Sequence, residues 1–251
     1  TYRIATLNKI SPEGLSLFGS DYEVADGLSS PDAILVRSAL VDTDAYPDTL
    51  AIARAGAGVN NITIDKATAA GLAVFNTPGA NANAVAELVF TVLGVYARNI
   101  LPGIAFATAT ANETESDKEI DEKVEKGKGK FAGFELAGKT LGVVGLGKIG
   151  VLVANQGARA GMNVIAFDPF PSIENIHLLS SSVKIAKSTA EVAKAADVLS
   201  VHVPLSDKTR GIVDAAFLAA MKDGSILVNY SRGPIVKEPD VIAALDSGKL
   251  R

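Results

Sequence analysis

Gly145, Gly147 and Gly150 stand in a G-x-G-x-x-G spacing directly after the apolar run Thr140-Leu-Gly-Val-Val144, and a second apolar run, Val164-Ile-Ala-Phe167, stops at Asp168. Residues of these types at these intervals can hold a dinucleotide. Gly145 permits a tight turn, Gly147 lets the backbone approach a diphosphate with no Cβ between them, and Gly150 lets a helix begin close to the strand. The N–H groups at the positive end of that helix would face the diphosphate. Asp168 follows Gly145 by 23 positions, near the offset of about 20 at which a carboxylate meets ribose hydroxyls. Neither Arg nor Lys occurs in the segment Pro169-Phe-Pro-Ser-Ile-Glu174 to receive a 2′-phosphate, so NAD is expected rather than NADP. The glycine fingerprint alone is weak evidence. The strand before it, the helix after it and the acid at the right offset together predict a βαβ unit.

Such a unit needs a sheet around it. From Thr140 onward, strands are expected at 140–145, 164–167, 183–186, 197–202 and 225–229, separated by helical stretches. Before it, short apolar strands are expected at Arg3–Leu7, Tyr22–Val24, Ala33–Val36, Leu50–Ala53 and Ala73–Phe75. This alternation predicts an α/β protein of two doubly wound parallel-sheet domains with helices on both faces. The boundaries expected are 1–98 and 99–251. Asn81 to Arg98 reads as a long helix, apolar around most of its circumference and capped by Asn81, which would be buried between domains or subunits. Thr108 to Lys130 reads as a charged linker or solvated helix, with Glu119/Lys123 and Glu122/Lys126 spaced to pair along one face.

Composition narrows the function. The 251 residues carry a net charge of −4, which leaves no basic footprint for nucleic acid. There is no cysteine and only two histidines, so disulfides, thiolate metal sites and other metal sites are not expected. The apolar run Leu88 to Ala97 lies between Glu87 and Arg98 and is too short to span a bilayer. With no signal peptide visible, a cytoplasmic protein is expected.

Ordered motifs run along nearly the whole chain: Leu35-Val-Arg37-Ser38; Ala53-Arg54-Ala-Gly56-Ala-Gly58-Val-Asn60-Asn61; Phe75-Asn-Thr-Pro-Gly79; Asn81 with Val85-Ala-Glu87-Leu88; the glycine fingerprint; Phe167-Asp168-Pro169; Val201-His202-Val203-Pro204-Leu205 with Thr209; and Val228-Asn229-Tyr-Ser231-Arg232-Gly233. In these the chain resembles the D-isomer-specific 2-hydroxyacid dehydrogenases. The resemblance implies a flavodoxin-like substrate domain followed by a Rossmann NAD-binding domain. It also implies hydride transfer between NAD and a small 2-hydroxy acid, and a homodimer or higher homo-oligomer.

The same resemblance assigns roles. Arg232 matches the family's catalytic arginine, whose rigid charged fork polarises the keto oxygen and holds the substrate carboxylate. The turn Gly56-Ala57-Gly58-Val59 matches a loop whose backbone N–H groups cradle that carboxylate. Arg37 and Ser38 match the segment that faces a substrate phosphate in the family's phosphoglycerate-oxidising branch, and Arg54 and Asn81 match other substrate positions. The expected substrate is therefore a phosphorylated 2-hydroxy or 2-keto acid, the pair 3-phospho-D-glycerate and 3-phosphohydroxypyruvate of serine biosynthesis. For NAD, Lys148 and Ile149 join the diphosphate turn, Pro169 accompanies Asp168, Val203, Pro204 and Thr209 form the adenosine side, and Tyr230 and Ser231 the nicotinamide side. His202 would line the cofactor cleft without transferring a proton, and His177 falls in a polar loop.

The family's proton-donating pair, a Glu and a His in segments of the form Asp-Val-x-x-x-Glu-Pro and Pro-His-x-Gly, has no counterpart in these 251 residues. The last strands of the nucleotide domain and the helix that returns to the substrate domain are likewise expected beyond Arg251. As it stands the chain is expected to bind NAD and present Arg232 without competent turnover. Two further readings stay open: a glyoxylate or hydroxypyruvate reductase of the same family, and a non-catalytic NAD-binding module of the kind this fold supplies to transcriptional corepressors.

Overall fold

The tetrapeptide Ala33-Ile-Leu-Val36 forms a strand over its full predicted length, with Ile34 and Val36 wholly buried. In a computed structural model, which describes residues 1–113 and 116–251, it is the middle strand of the first of two compact units, Thr1–Asn81 and Ala82–Arg251.

The first unit contains β1 (Tyr2–Leu7), α1 (Pro12–Leu15), β2 (Tyr22–Asp26), β3 (Ala33–Val36), β4 (Ala51–Arg54), α2 (Ile64–Ala69) and β5 (Ala73–Asn76). Its strands are all parallel in the order β2-β1-β3-β4-β5, the flavodoxin-like order. Ala5, Ile34, Val36, Val41, Ile52, Ile62, Ala67 and Leu72 make its core. The strand expected at 50–53 sits one residue later. Register explains the slip, because β3 pairs Val36 with Arg54, which carries the strand one residue further and leaves Leu50 exposed. Helical cover is thinner than expected. Only four- and six-residue helices form, and β3 reaches β4 through a 3-10 turn, Thr43–Ala45, in which the Asp42 carboxylate accepts the Asp44 N–H. Pro12 opens α1, which carries Gly14 and ends at Leu15, and Gly27, Pro31 and Pro47 interrupt the later connections that would have had to be helical.

The second unit contains α3 (Ala82–Ala97), α4 (Ile100–Glu113), α5 (Asp117–Gly127), β6 (Thr140–Val144), α6 (Lys148–Arg159), β7 (Asn163–Phe167), α7 (Ile173–His177), β8 (Lys184–Ile185), α8 (Thr189–Ala195), β9 (Val198–Val201), α9 (Ala215–Ala220), β10 (Ile226–Asn229) and α10 (Glu238–Asp246). Its sheet is again parallel, ordered β10-β9-β6-β7-β8. Counted within the unit, the order read from β8 is 3-2-1-4-5, the doubly wound dinucleotide-binding arrangement. The order in which strands are added reverses between the parallel neighbours β6 and β9, so a crevice opens at their carboxyl ends.

Helix α3 falls in this second unit, which begins at Ala82. Ala82, Ala86, Val89, Leu93 and Ala97 recur every three or four residues and are buried. Ala86, Val89 and Leu93 share a core with Leu141, Val143, Val151 and Val153 of β6 and α6. The helix is thus buried along one stripe rather than all round, and Leu88, Val92 and Tyr96 remain 40–43% exposed. Among the described residues no single helix is long and apolar enough to cross a membrane; α3 and α4 together reach that length and composition but bend by 54° at Asn99. In the charged stretch, of which Thr114 and Glu115 lie outside the described residues, Lys126 meets Glu122 at 4.0 Å as the spacing predicts, and Lys123 reaches Glu113 of α4 at 3.7 Å.

Candidate functional site

The three fingerprint glycines do different work. Gly145 has φ +98°, a conformation that L side chains rarely adopt, and a Cβ there would come within 2.6 Å of the His202 carbonyl oxygen. At Gly150 a Cβ would land on the Gly145 carbonyl oxygen, whereas at Gly147 it would meet nothing within 4 Å. Two of the glycines therefore close the turn against β9, and the third keeps open the face a ligand would approach. Gly147 is the N-cap of α6 and supplies no side-chain cap. Among the described residues the N–H groups of Gly147, Ile149 and Gly150 find no acceptor in the chain, which leaves a positive helix end presenting unpaired donors to an anion. These features fit a dinucleotide diphosphate.

Asp168 ends β7 beside this turn. Its Oδ2 accepts the Leu146 N–H at 2.7 Å and its Oδ1 accepts the Phe170 N–H at 2.8 Å. The carboxylate is thereby held still, and each oxygen keeps a lone pair for a ribose hydroxyl. Pro169 lies between those two anchors. Across the crevice Val203 and Pro204 follow β9, a Cβ on Gly145 would come within 3.0 Å of Val203 Cγ1, and the Thr209 hydroxyl closes the loop by accepting the Ser206 N–H at 2.8 Å. Lys148 and Ile149 open α6, Ile149 partly buried against the core.

At the end of β10 the turn bearing Arg232 is built by Asn229, quoted in the sequence motif but given no role there. Asn229 Oδ1 accepts the Ser231 N–H at 3.0 Å, and its Nδ2 donates to the Arg232 carbonyl at 2.9 Å. The Ser231 hydroxyl donates to the Val201 carbonyl at 2.8 Å, tying the turn to β9. Arg232 itself is exposed, with Nη1 donating to the Ser231 carbonyl at 2.8 Å, and Tyr230 beside it is partly exposed. His202 sits behind the glycine turn with Nε2 2.8 Å from the Oγ of fully buried Ser200. Burial pushes its pKa down to about 4, so the ring is neutral at pH 7. His177 is the last residue of α7, the helix whose Asn175 Nδ2 donates to the Leu146 carbonyl at 3.2 Å.

In the first unit the expected substrate residues gather at the carboxyl ends of β3 and β4. Arg37 and Ser38 are exposed after β3, and Arg54 at the end of β4 donates from Nε to the Arg37 carbonyl at 3.0 Å. Its guanidinium lies over the Cα of Gly56, where any Cβ would collide with it. The Gly56 N–H donates to the Arg54 carbonyl at 2.9 Å and so is spent, while the N–H groups of Ala57, Gly58 and Val59 find no acceptor among the described residues. Asn76 Nδ2 holds the Ala57 carbonyl at 2.7 Å. This is a loop of uncommitted backbone donors flanked by two guanidinium-bearing residues. Asn81 is the unit's last residue, exposed and directly before α3.

Fold and crevice together define a two-unit parallel α/β protein with a dinucleotide cradle in its second unit. Family models narrow this: the NAD binding domain of the D-isomer specific 2-hydroxyacid dehydrogenases matches residues 105–251, and the catalytic domain of the same family matches residues 5–175. The chain belongs to the D-isomer specific 2-hydroxyacid dehydrogenase family and carries its NAD-binding domain. It is 36% identical over 233 residues to D-3-phosphoglycerate dehydrogenase of Methanocaldococcus jannaschii, covering 91% of this chain and 41% of that protein. It is 38% identical over 223 residues to hydroxypyruvate reductase of Thermotoga maritima, covering 87% of this chain and 66% of that protein. The chain thus spans less than half the length of the phosphoglycerate dehydrogenase it matches. Among solved structures, the apo form of D-lactate dehydrogenase from Escherichia coli superposes with a TM-score of 0.76 at 26% identity, covering 99% of this chain and 81% of that one.

Proposed function

We propose that the whole protein oxidises 3-phospho-D-glycerate to 3-phosphohydroxypyruvate, or runs the reverse reaction, as a cytoplasmic homodimer serving serine biosynthesis, and that these 251 residues supply its NAD contacts and the anion-binding side of its substrate site. The observation that carries this reading is the donor loop of the first unit. Unpaired N–H groups at Ala57, Gly58 and Val59 beside Arg37 and Arg54 suit an anion bearing both carboxylate and phosphate, and exceed what lactate or glyoxylate requires. NAD, when bound, supplies the hydride acceptor for C2; the hydroxyl proton released with it needs a base, and the family's Glu and His for that task have no counterpart in these 251 residues. Gly145 to Gly150 would hold its diphosphate and Asp168 its ribose. Arg232 would hold the keto acid and polarise its oxygen, a task for a fixed, permanently charged fork. His202, neutral and tied to Ser200, is suited to supporting the turn and not to delivering a proton. The exposed apolar residues Leu88, Val92 and Tyr96 of α3 support the homodimer.

The test is calorimetric titration with 3-phospho-D-glycerate and with D-glycerate. Wild type is expected to favour the phosphorylated ligand by roughly ten- to a hundredfold, the worth of charge-assisted hydrogen bonds to phosphate. Arg37→Ala should erase that preference. Equal affinities in wild type would sink the substrate assignment in favour of an unphosphorylated acid, such as the substrate named by the hydroxypyruvate reductase. Asn229→Ala should weaken ligand binding at Arg232 by about tenfold and cost about 1 kcal/mol in urea unfolding, since it releases both bonds that shape the turn. Its NAD affinity should stay near wild type, and a large fall there would show that the turn serves the cofactor instead.

A further inference from the structure

The backbone that presents Arg37 is held almost entirely by side chains from elsewhere in the first unit. Asn8, at the end of β1, lies in the left-handed region at φ +70°, one of three non-glycine residues with positive φ among those described. From that conformation its Oδ1 accepts two successive N–H groups, Ser38 at 3.0 Å and Ala39 in a shorter contact. The Ala39 carbonyl in turn accepts Asn61 Nδ2 at 2.7 Å, and the Val41 N–H donates to the Asn61 carbonyl at 2.9 Å. Arg54 Nε takes the Arg37 carbonyl. Polar groups from Arg37 O to Ala39 O are therefore fastened to three separate strand ends or loops, and Asn61 also terminates the donor loop that begins at Gly56. The Arg37 turn cannot shift without breaking its register to the Ala57–Val59 donors.

We propose that Asn8 is a positioning residue for anion recognition. Its carboxamide oxygen clamps the Ser38 and Ala39 amides, and so sets the Arg37 guanidinium at the height where a phosphate can be met while the donor loop holds a carboxylate. Asparagine suits the task because it tolerates the left-handed region and carries an acceptor on a short stem. This inference rests on the substrate reading given above, and extends it to a residue 29 positions away in sequence that would touch no ligand.

Asn8→Gly keeps the positive φ at no steric cost and deletes the acceptor, while Asn8→Asp keeps both conformation and acceptor. The two variants, with wild type and Arg37→Ala, are titrated with 3-phospho-D-glycerate and D-glycerate, and amide hydrogen exchange is followed at Ser38 and Ala39. Asn8→Gly is expected to lose about tenfold of the phosphate preference and to exchange faster at both amides. Asn8→Asp should restore slow exchange and most of the preference. If Asn8→Gly retains the wild-type ratio while Arg37→Ala loses it, the clamp has no role in recognition and the proposal fails. It fails equally if Asn8→Asp behaves like Asn8→Gly. If wild type itself shows no preference for phosphate, the substrate reading is what has failed; unchanged exchange in Asn8→Gly would then overturn the clamp as well, and faster exchange would preserve it as a positioning device for a different anion.

Discussion

Gly147→Ala is expected to leave the fold intact and to weaken NAD binding by at least about tenfold. Gly147 has an extended backbone, φ −72° and ψ −172°, which any residue adopts, and a Cβ there meets nothing within 4 Å. The new methyl would cost the folded chain almost nothing, yet it would project from the helix cap into the space a diphosphate must enter to reach the N–H groups of Gly147, Ile149 and Gly150. Gly150→Ala supplies the contrast. Its Cβ would collide with the Gly145 carbonyl oxygen, and neither partner is a flexible side chain that could swing aside. The turn would have to open at a cost of roughly 3 kcal/mol, or about 10 °C in melting temperature for a unit of this size. Thermal melts and NAD titrations on the two variants separate ligand clearance from backbone packing. Wild-type affinity in Gly147→Ala would mean that the diphosphate is not cradled here. A wild-type melting temperature in Gly150→Ala would mean that the close approach of α6 to the turn is not a constraint.

What the amino-acid sequence discloses depends on how local the cause is. The Ala33–Val36 strand is bracketed by Pro31-Asp32 and Arg37, so its limits could be read to the residue, and the tight turn was legible because Gly145 and Gly150 answer to the His202 carbonyl and to the turn's own backbone. The strand at Ala51–Arg54 was missed by one residue because apolarity cannot register β4 against β3. The packing of α3 was not legible because the helix is apolar on more faces than it buries, and nothing within it states that its Ala86-Val89-Leu93 stripe belongs to the sheet at Leu141 and Val143. Asn229 could have been found, since an Asn two residues before a backbone N–H commonly folds onto it. Asn8 could not: its partners lie 30 and 31 positions away, and in the sequence it is only an asparagine after a strand. Ser200 and His202 are an intermediate case, because alternate strand positions share a face, but the hydrogen bond between them depends on burial that the sequence does not state.

That pair makes the protein acid-sensitive in a defined window. The folded chain holds the His202 pKa at about 4 by burial, against 6.5 for the free side chain. Between those values the unfolded chain takes up a proton that the folded chain refuses, so the unfolded state gains stability as pH falls. The contribution is fully present above pH 6.5, declines from there, and is exhausted near pH 4, below which both states are protonated. A difference of about 2.5 units corresponds to about 3 kcal/mol, comparable to a large fraction of a domain's stability. His202→Gln retains a side chain able to bond Ser200 Oγ but cannot titrate. It is expected to match wild type to within about 1 kcal/mol at pH 7.5 and to exceed it by about 2 kcal/mol at pH 5, where most of the proton-linked loss has occurred. Urea midpoints measured for both proteins at half-unit intervals from pH 7.5 to 4.5 give the difference directly, with the other acid-titrating groups, among them Asp197 and Asp214, common to the two. A difference that stays flat with pH would show that His202 charges freely in the folded protein. The ring behind the glycine turn would then be open to solvent, and the proton-free support of the cofactor cradle inferred for it would have to be abandoned.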